Sequence, residues 1–189
     1  APCSDEDLLA ITGHARDALK RDHGAAFAGT KTGITASVHS GPRAALPHGT
    51  VLPRVPQVGE PVIAGIGCHL GGYHAESGVT LVVGGISAEQ ARVMQAMADA
   101  NAACIAALSA HAPCQTVNDA ALAPIRAAGL GDAIRHRIGH GMGVEGHEAP
   151  WLSPGDPTPA APGMVFSCEP GVYRPERDGW RTIETLIVT

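Results

Sequence analysis

Three imidazoles, His136, His140 and His147, fall within twelve residues, with the carboxylate of Glu145 among them and that of Glu148 directly after. Side chains of these types can hold a divalent ion or move protons near neutral pH. Gly139, Gly141, Gly143 and Gly146 are interleaved with them and argue against a helix of any length. The stretch from His136 to Pro150 therefore reads as extended chain with bends. On an alternating strand His136, Ile138 and His140 would share a face, giving two imidazoles one wall. A lone histidine in such a setting is more often a loop residue, but three of them, closed by His147-Glu148-Ala149-Pro150, point to a site.

Other segments must bring partners to this one. Ser4-Asp5-Glu6-Asp7 ahead of Leu8, Leu9 and Ile11 predicts a helix from Asp5 to about Asp22, with Gly24 ending it. Ile34 to His39 is β-prone, and Ser40-Gly41-Pro42-Arg43 breaks it. Pro61 to Gly67 and Gly72 to Gly84 predict a hairpin turning near Leu70-Gly71, which sets position 65 directly opposite Glu76. Ser87 and Gln90 form a capping box for a long amphipathic helix through Leu108, and a second helix spans about Val117 to Ala128, stopped by Gly129. Their Met and Ala stripes read as core. After a Pro-rich loop over 154–162, a strand from Met164 to Cys168 delivers Glu169, and Trp180 to Thr189 alternates as one last strand.

A chain of 189 residues, 44% hydrophobic and 16% charged, suffices for one domain with a sizeable core. Aromatics are only 3%, so that core must be aliphatic. The net charge of −5, without runs of one sign, gives no footprint for nucleic acid or a membrane surface. No segment has the length and apolarity of a membrane span. Cys3, Cys68, Cys104, Cys114 and Cys168 are odd in number and lack Cys-x-x-Cys spacing, which argues against a disulfide scaffold or structural zinc and favours a reducing, cytoplasmic setting. Cys168 beside Glu169 reads first as a buried small residue.

Two ordered motifs, His-Arg-x-Gly-His-Gly-x-Gly…His-Glu-x-Pro over 136–150 and Pro-Gly-Met-Val-Phe-Ser-Cys-Glu-Pro-Gly-Val-Tyr over 162–173, resemble the C-terminal half of the pita-bread family that includes aminopeptidase P, prolidase, methionine aminopeptidase and creatinase. The resemblance implies a pseudo-twofold α+β domain of pita-bread fold, with a curved, mostly antiparallel sheet whose concave side holds the site and helices on the outer face. Residues 1–189 would form that single domain, lacking the family's first helix and any N-terminal domain. Either a longer protein or a partner subunit, as in a homodimer, would then cover the thinner half. By the same resemblance His48, after Pro47, faces substrate and moves protons. His147, Glu76 and Glu169 join it in catalysis, with His136, Arg181 and Tyr73 binding substrate.

The family's two adjacent ions are held by five side chains, which map here onto Gly65, Glu76, His140, Glu169 and Ile183. Two of these cannot ligate, and two cations held close need bridging anionic oxygens. Glu184 follows Ile183, but on a regular strand it faces the other way, and only a bulge or a one-residue slip would bring it in. What remains, Glu76, His140 and Glu169, suits one divalent metal (Mn, Fe, Co or Zn) or none. Three functions follow: an aminopeptidase P or prolidase-like hydrolase of a peptide or amide C–N bond with one metal at most; a creatinase-like, metal-independent hydrolase of a guanidino or amidino compound; or a binding module without turnover. In each the ligand is a small molecule or short peptide, and Arg181 would orient a carboxylate.

Overall fold

The computed structural model describes residues 3–23, 25–26 and 32–189. Helix α1 spans Asp5–His23, and Gly24, expected to end it, lies outside the described residues. Ser4 caps its start: the Asp7 amide donates to Ser4 Oγ (3.1 Å) while the Ser4 amide donates to Asp7 Oδ2 (2.8 Å).

Asp5 does more than complement the helix dipole. It is only 2% exposed, and its Oδ2 accepts from the amide and hydroxyl of Ser40 at 3.1 and 2.9 Å. Arg54 donates to the same hydroxyl at 2.7 Å and forks onto Glu60 at 2.8 and 2.6 Å. This network ties α1 to the end of strand β1 (Gly33–Ser40) and to the approach to β2 (Pro61–Leu70). Asp5→Ala would leave buried donors unpaired, so urea unfolding should show a loss of ~1–3 kcal/mol, against little loss in a Glu6→Ala control on the exposed side of the same turn.

Strands β1, β2 and β3 (Tyr73–Val82) form an antiparallel sheet in that order. The hairpin turns on Gly71 and Gly72, both at positive φ (63° and 90°), between the paired residues Leu70 and Tyr73. That centre is one residue later than expected, so Gly65 lies opposite Gly78, and Glu76 lies opposite Gly67. A two-residue offset preserves parity. Position 65 and Glu76 therefore share a face as diagonal rather than direct neighbours.

Helices α2 (Ala88–Ser109) and α3 (Cys114–Ala127) follow, α2 with the expected Ser87/Gln90 capping box. α3 starts three residues earlier than expected, because Pro113 can precede a first turn whose amides need no partner inside the helix. The second sheet has the order β5-β4-β6-β9: β4 is Gly139–Gly141, β5 Glu148–Leu152, β6 Val165–Cys168 and β9 Glu184–Ile187. Between β6 and β9 in sequence, β7 (Gly171–Arg174) and β8 (Asp178–Arg181) form a separate hairpin. The single last strand expected over Trp180–Thr189 is thus two strands, broken at Thr182 and Ile183. The core lies between α2, α3 and the second sheet, around Trp180, Phe166, Ile125 and Leu152.

The break joins the halves. Ile183 exchanges backbone hydrogen bonds with Gly78 at 2.9 and 3.0 Å. On either side, the Thr185 hydroxyl bonds both the amide and the carbonyl of Glu76 (2.9 and 2.7 Å), and the Thr80 hydroxyl does the same for Arg181 (2.9 and 2.8 Å). The pairs 76/185, 78/183 and 80/181 are one antiparallel register, in which threonine hydroxyls substitute for missing main-chain partners. Glu76 and Arg181 are thereby fixed by their own backbones before their side chains make any contact.

Candidate metal and catalytic site

His140 is 1% exposed, at the centre of the short strand β4. Its Nδ1 lies 3.0 Å from the Gly141 carbonyl, so Nδ1 carries a proton. Nε2 then faces two carboxylates, Glu76 Oε1 at 3.5 Å and Glu169 Oε1 at 3.4 Å, and is buried without a hydrogen-bond partner. Burial opposes a charge on this ring, but Glu169, Glu76 and the Gly141 carbonyl outweigh it and raise its pKa to about 9.

His147 stacks on His140, with ring centroids 3.9 Å apart. Burial and the neighbouring His140 hold its pKa below the usual value, so it stays neutral at pH 7. His140, His147 and Glu169 each offer a ligand atom within 4.8 Å of the others. Burial would raise the Glu76 pKa, but His140 and the Ser167 hydroxyl, which donates a short hydrogen bond to Oε1, bring it below the usual value. Ser167 is a functional neighbour that the motif reading passed over. Strand alternation is the signal that would have found it, since it lies two residues before Glu169; the structure sets it opposite His140.

His136 does not share His140's wall. β4 is only three residues long, so alternation does not reach back to 136, and Ile138 turns into the core beside α3, where its amide meets Asn118. His136 is held apart in a chain of bonds: Nδ1 sits 2.7 Å from the Arg137 carbonyl and Nε2 2.8 Å from the Tyr173 hydroxyl. Burial keeps this ring neutral and pushes the Tyr173 phenol up to about 12. Tyr73, by contrast, is 68% exposed beside the hairpin turn and lines a different hollow. The structure does not bring it to the other residues. Tyr173, from the Pro-Gly-Val-Tyr motif, is the tyrosine that reaches the site's edge.

His48 is exposed at the mouth of the site, in the loop after a short 3-10 helix over Gly41–Ala45. Two side chains hold that loop: buried His39 through the Gly49 carbonyl and Arg43 through the Thr50 carbonyl (2.7 Å). Neither was singled out from the sequence. A cavity of about 230 Å³ is lined by His48, Gly65, Glu76, His147 and Ile183, and also by Glu169 and Arg181. A second, of about 310 Å³, shares His48, His147, Glu169 and Arg181 and continues toward His136. Ile183 is buried facing the first cavity, and Glu184 is exposed on the opposite side. Gly65 and Ile183 bring no donor atom to it.

Two sheets joined by a crossing strand pair, helices outside and a histidine–carboxylate cluster inside, define the α+β pita-bread fold. The chain belongs to metallopeptidase family M24, whose model matches residues 8–189. It is 32% identical to the Xaa-Pro dipeptidase of Pyrococcus furiosus over 152 residues, which is 80% of this chain and 44% of that protein. Among solved structures, the prolidase from Pyrococcus furiosus superposes with a TM-score of 0.87 at 27% identity, covering 100% of this chain and 53% of that one. The dipeptidase PepE from Mycobacterium ulcerans gives 0.85 at 30% identity, covering 100% and 48%. The chain spans less than half the length of several curated relatives that it matches. No helix among the described residues is long and apolar enough to cross a membrane.

Proposed function

We propose that this domain is a hydrolase of the aminopeptidase P/prolidase-like class, cleaving a peptide or amide C–N bond with one divalent metal. The observation that carries this reading is the His140 Nε2 atom, buried, unpartnered and aimed between Glu76 and Glu169. A neutral imidazole with its proton fixed on Nδ1 and two carboxylates beside its free lone pair make a donor set for one ion such as Mn, Fe, Co or Zn. The set does not fit a pair, since Gly65 and Ile183 supply no bridging oxygen. When bound, the ion would polarise the scissile carbonyl and lower the pKa of water.

The protein's own groups would do the rest. Glu76 and Glu169 hold the anionic side of the site, His147 stays neutral to accept or give a hydrogen bond, and His48 stands at the mouth where a leaving amine needs a proton. His136 is a positioning residue for Tyr173. The test is metal content together with turnover on dipeptides, Xaa-Pro among them. About one equivalent of metal should be present and be lost together with activity on chelation. His48→Ala should lower kcat by about a hundredfold with metal content unchanged. Full turnover by that variant would contradict the role given to His48.

The altered ligand set favours a second, metal-independent, creatinase-like reading: Gly65 and Ile183 supply no donor atom, and Glu76 and Glu169 in the same cavity can instead hold a cationic ligand. Chelator-resistant hydrolysis of a guanidino or amidino compound would select that reading over the first. Binding of such ligands without turnover would select a module that has lost catalysis.

A further inference from the structure

Toward the tip of the β2–β3 hairpin, beyond Glu76, stands a second pair of imidazoles. His69 and His74 are directly paired across the two strands, one step before the turn-flanking residues Leu70 and Tyr73. The His74 amide donates to the Gly143 carbonyl (2.8 Å) and not to β2. Positions 69 and 74 are therefore a non-hydrogen-bonded pair, the kind whose side chains stand closest. Their ring centroids are 5.2 Å apart, with the planes tilted by 39°. Two imidazoles on one tetrahedral ion, each with a Zn–N distance of about 2.0–2.1 Å, place their centroids roughly 5 Å apart. The rings have the separation that a shared ion requires.

His74 is also set up as a ligand. Its Nδ1 lies 3.3 Å from the same Gly143 carbonyl, which can only accept, so Nδ1 carries the proton and Nε2 keeps its lone pair. A backbone carbonyl on one ring nitrogen is the usual support for metal ligation through the other. Each ring lies against a glycine: a Cβ on Gly33 would stand 2.7 Å from His69 Cε1, and one on Gly146 3.6 Å from His74 Cδ2. The missing side chains leave both rings room to turn about χ2 toward one ion. Both histidines are half-buried, open enough to solvent for an ion to enter. The cluster of His140, His147 and Glu169, whose donor atoms lie within 4.8 Å of one another, includes neither of them.

We propose that His69 and His74 form a second transition-metal site, separate from the His140 centre, that takes Zn2+, Ni2+ or Cu2+ through two imidazole nitrogens with water completing the coordination. An ion there braces the hairpin tip against the loop that begins at Gly143 and leads to His147, because His74 already holds that loop through two bonds to one carbonyl. This site does not depend on the hydrolase reading.

The probe is Ni2+, titrated into the metal-stripped whole chain and followed by calorimetry and by paramagnetic broadening in NMR spectra. With the first centre removed by His140→Ala, about one equivalent should still bind, and broadening should centre on the amides of residues 69, 74 and 143. Adding His69→Ala or His74→Ala to that protein should weaken binding by about tenfold or more. In the otherwise unmodified protein either substitution should lower the stoichiometry from about two equivalents to one, a comparison that holds even where His140→Ala fails to fold. A folded His140→Ala protein that binds no Ni2+, or binding that neither histidine substitution changes, overturns the site. Broadening centred instead on the exposed His14, His23 or His111 would put the ion elsewhere and overturn it equally. Loading of His69 and His74 with none at His140 would count against the mononuclear centre alone.

Discussion

Replacing His140 with alanine should cost at least about a hundredfold in metal affinity, more than the ~10–100-fold typical for groups that only support a ligand, and metal-dependent turnover should disappear with it. Isothermal titration with Mn, Co and Zn checks the first part and activity at saturating metal the second. The expectation follows from the position of Nε2, the buried donor that lies between Glu76 and Glu169. Unchanged metal affinity in a folded His140→Ala protein would remove the basis for the mononuclear site.

The same imidazole sets a pH dependence. Its folded pKa, about 9, lies above the ordinary 6.5, so in metal-free protein its stabilising contribution is complete below pH 6.5. That contribution is lost as pH rises through about 9, and for a shift of this size it is on the order of 3 kcal/mol. Metal binding must displace the Nε2 proton, so metal affinity should rise over this pH window by up to about tenfold per unit. Urea unfolding of metal-free protein at pH 6, 7.5 and 9 should show falling stability, and the His140→Ala protein should lack that slope.

The second large effect is expected at Gly139. A Cβ there would stand 1.9 Å from the Ser167 carbonyl oxygen, because β4 is packed between β5 and β6 and the glycine's partners are Leu152 and Cys168. The obstacle is the Ser167 main chain, which cannot rotate away as a side chain would. Gly139→Ala should destabilise by ~3 kcal/mol or more, the upper end of overpacking costs, and should displace His140, the next residue, from Glu76 and Glu169. Gly146→Ala is the contrast: its Cβ would meet nothing nearer than His74 at 3.6 Å, so its change should stay within about 0.5 kcal/mol. Equal stabilities for the two variants would mean that β4 does not approach β6 as closely as described.

These two glycines show where reading the chain ends. Both sit in one Gly-rich run, and nothing local distinguishes them; the difference is the carbonyl of Ser167, 28 residues away. The helices were legible because their signals are local: the Ser87/Gln90 box, an apolar stripe at helical spacing, and Gly129 past the end of α3. The hairpin was legible as a hairpin, but its register was off by two, since Gly71-Gly72 allows either centre and only pairing with the neighbouring strands selects one. The final segment was read as one strand because its alternation is unbroken. The interruption at Thr182–Ile183 depends on Gly78, whose lack of a side chain admits Ile183 at 2.7 Å from where a Cβ would be.

By itself, the sequence determined the α+β class, the family resemblance and the ordered motifs that contain His140, His147 and Glu169, because a backbone that must bend at fixed glycines and proline keeps its chemical residues at fixed spacing. It also determined that positions 65 and 183 carry no donor atom. Only the tertiary structure decided that His136 stands apart with Tyr173, that Ser167 holds Glu76, and that Arg181 stands beside Gly65 and bonds the Pro47 carbonyl. Those facts depend on contacts between residues 37 to 134 positions apart, and an interaction across such distances is set by how sheets cross and which atoms they bury, not by the order of residues along any one segment.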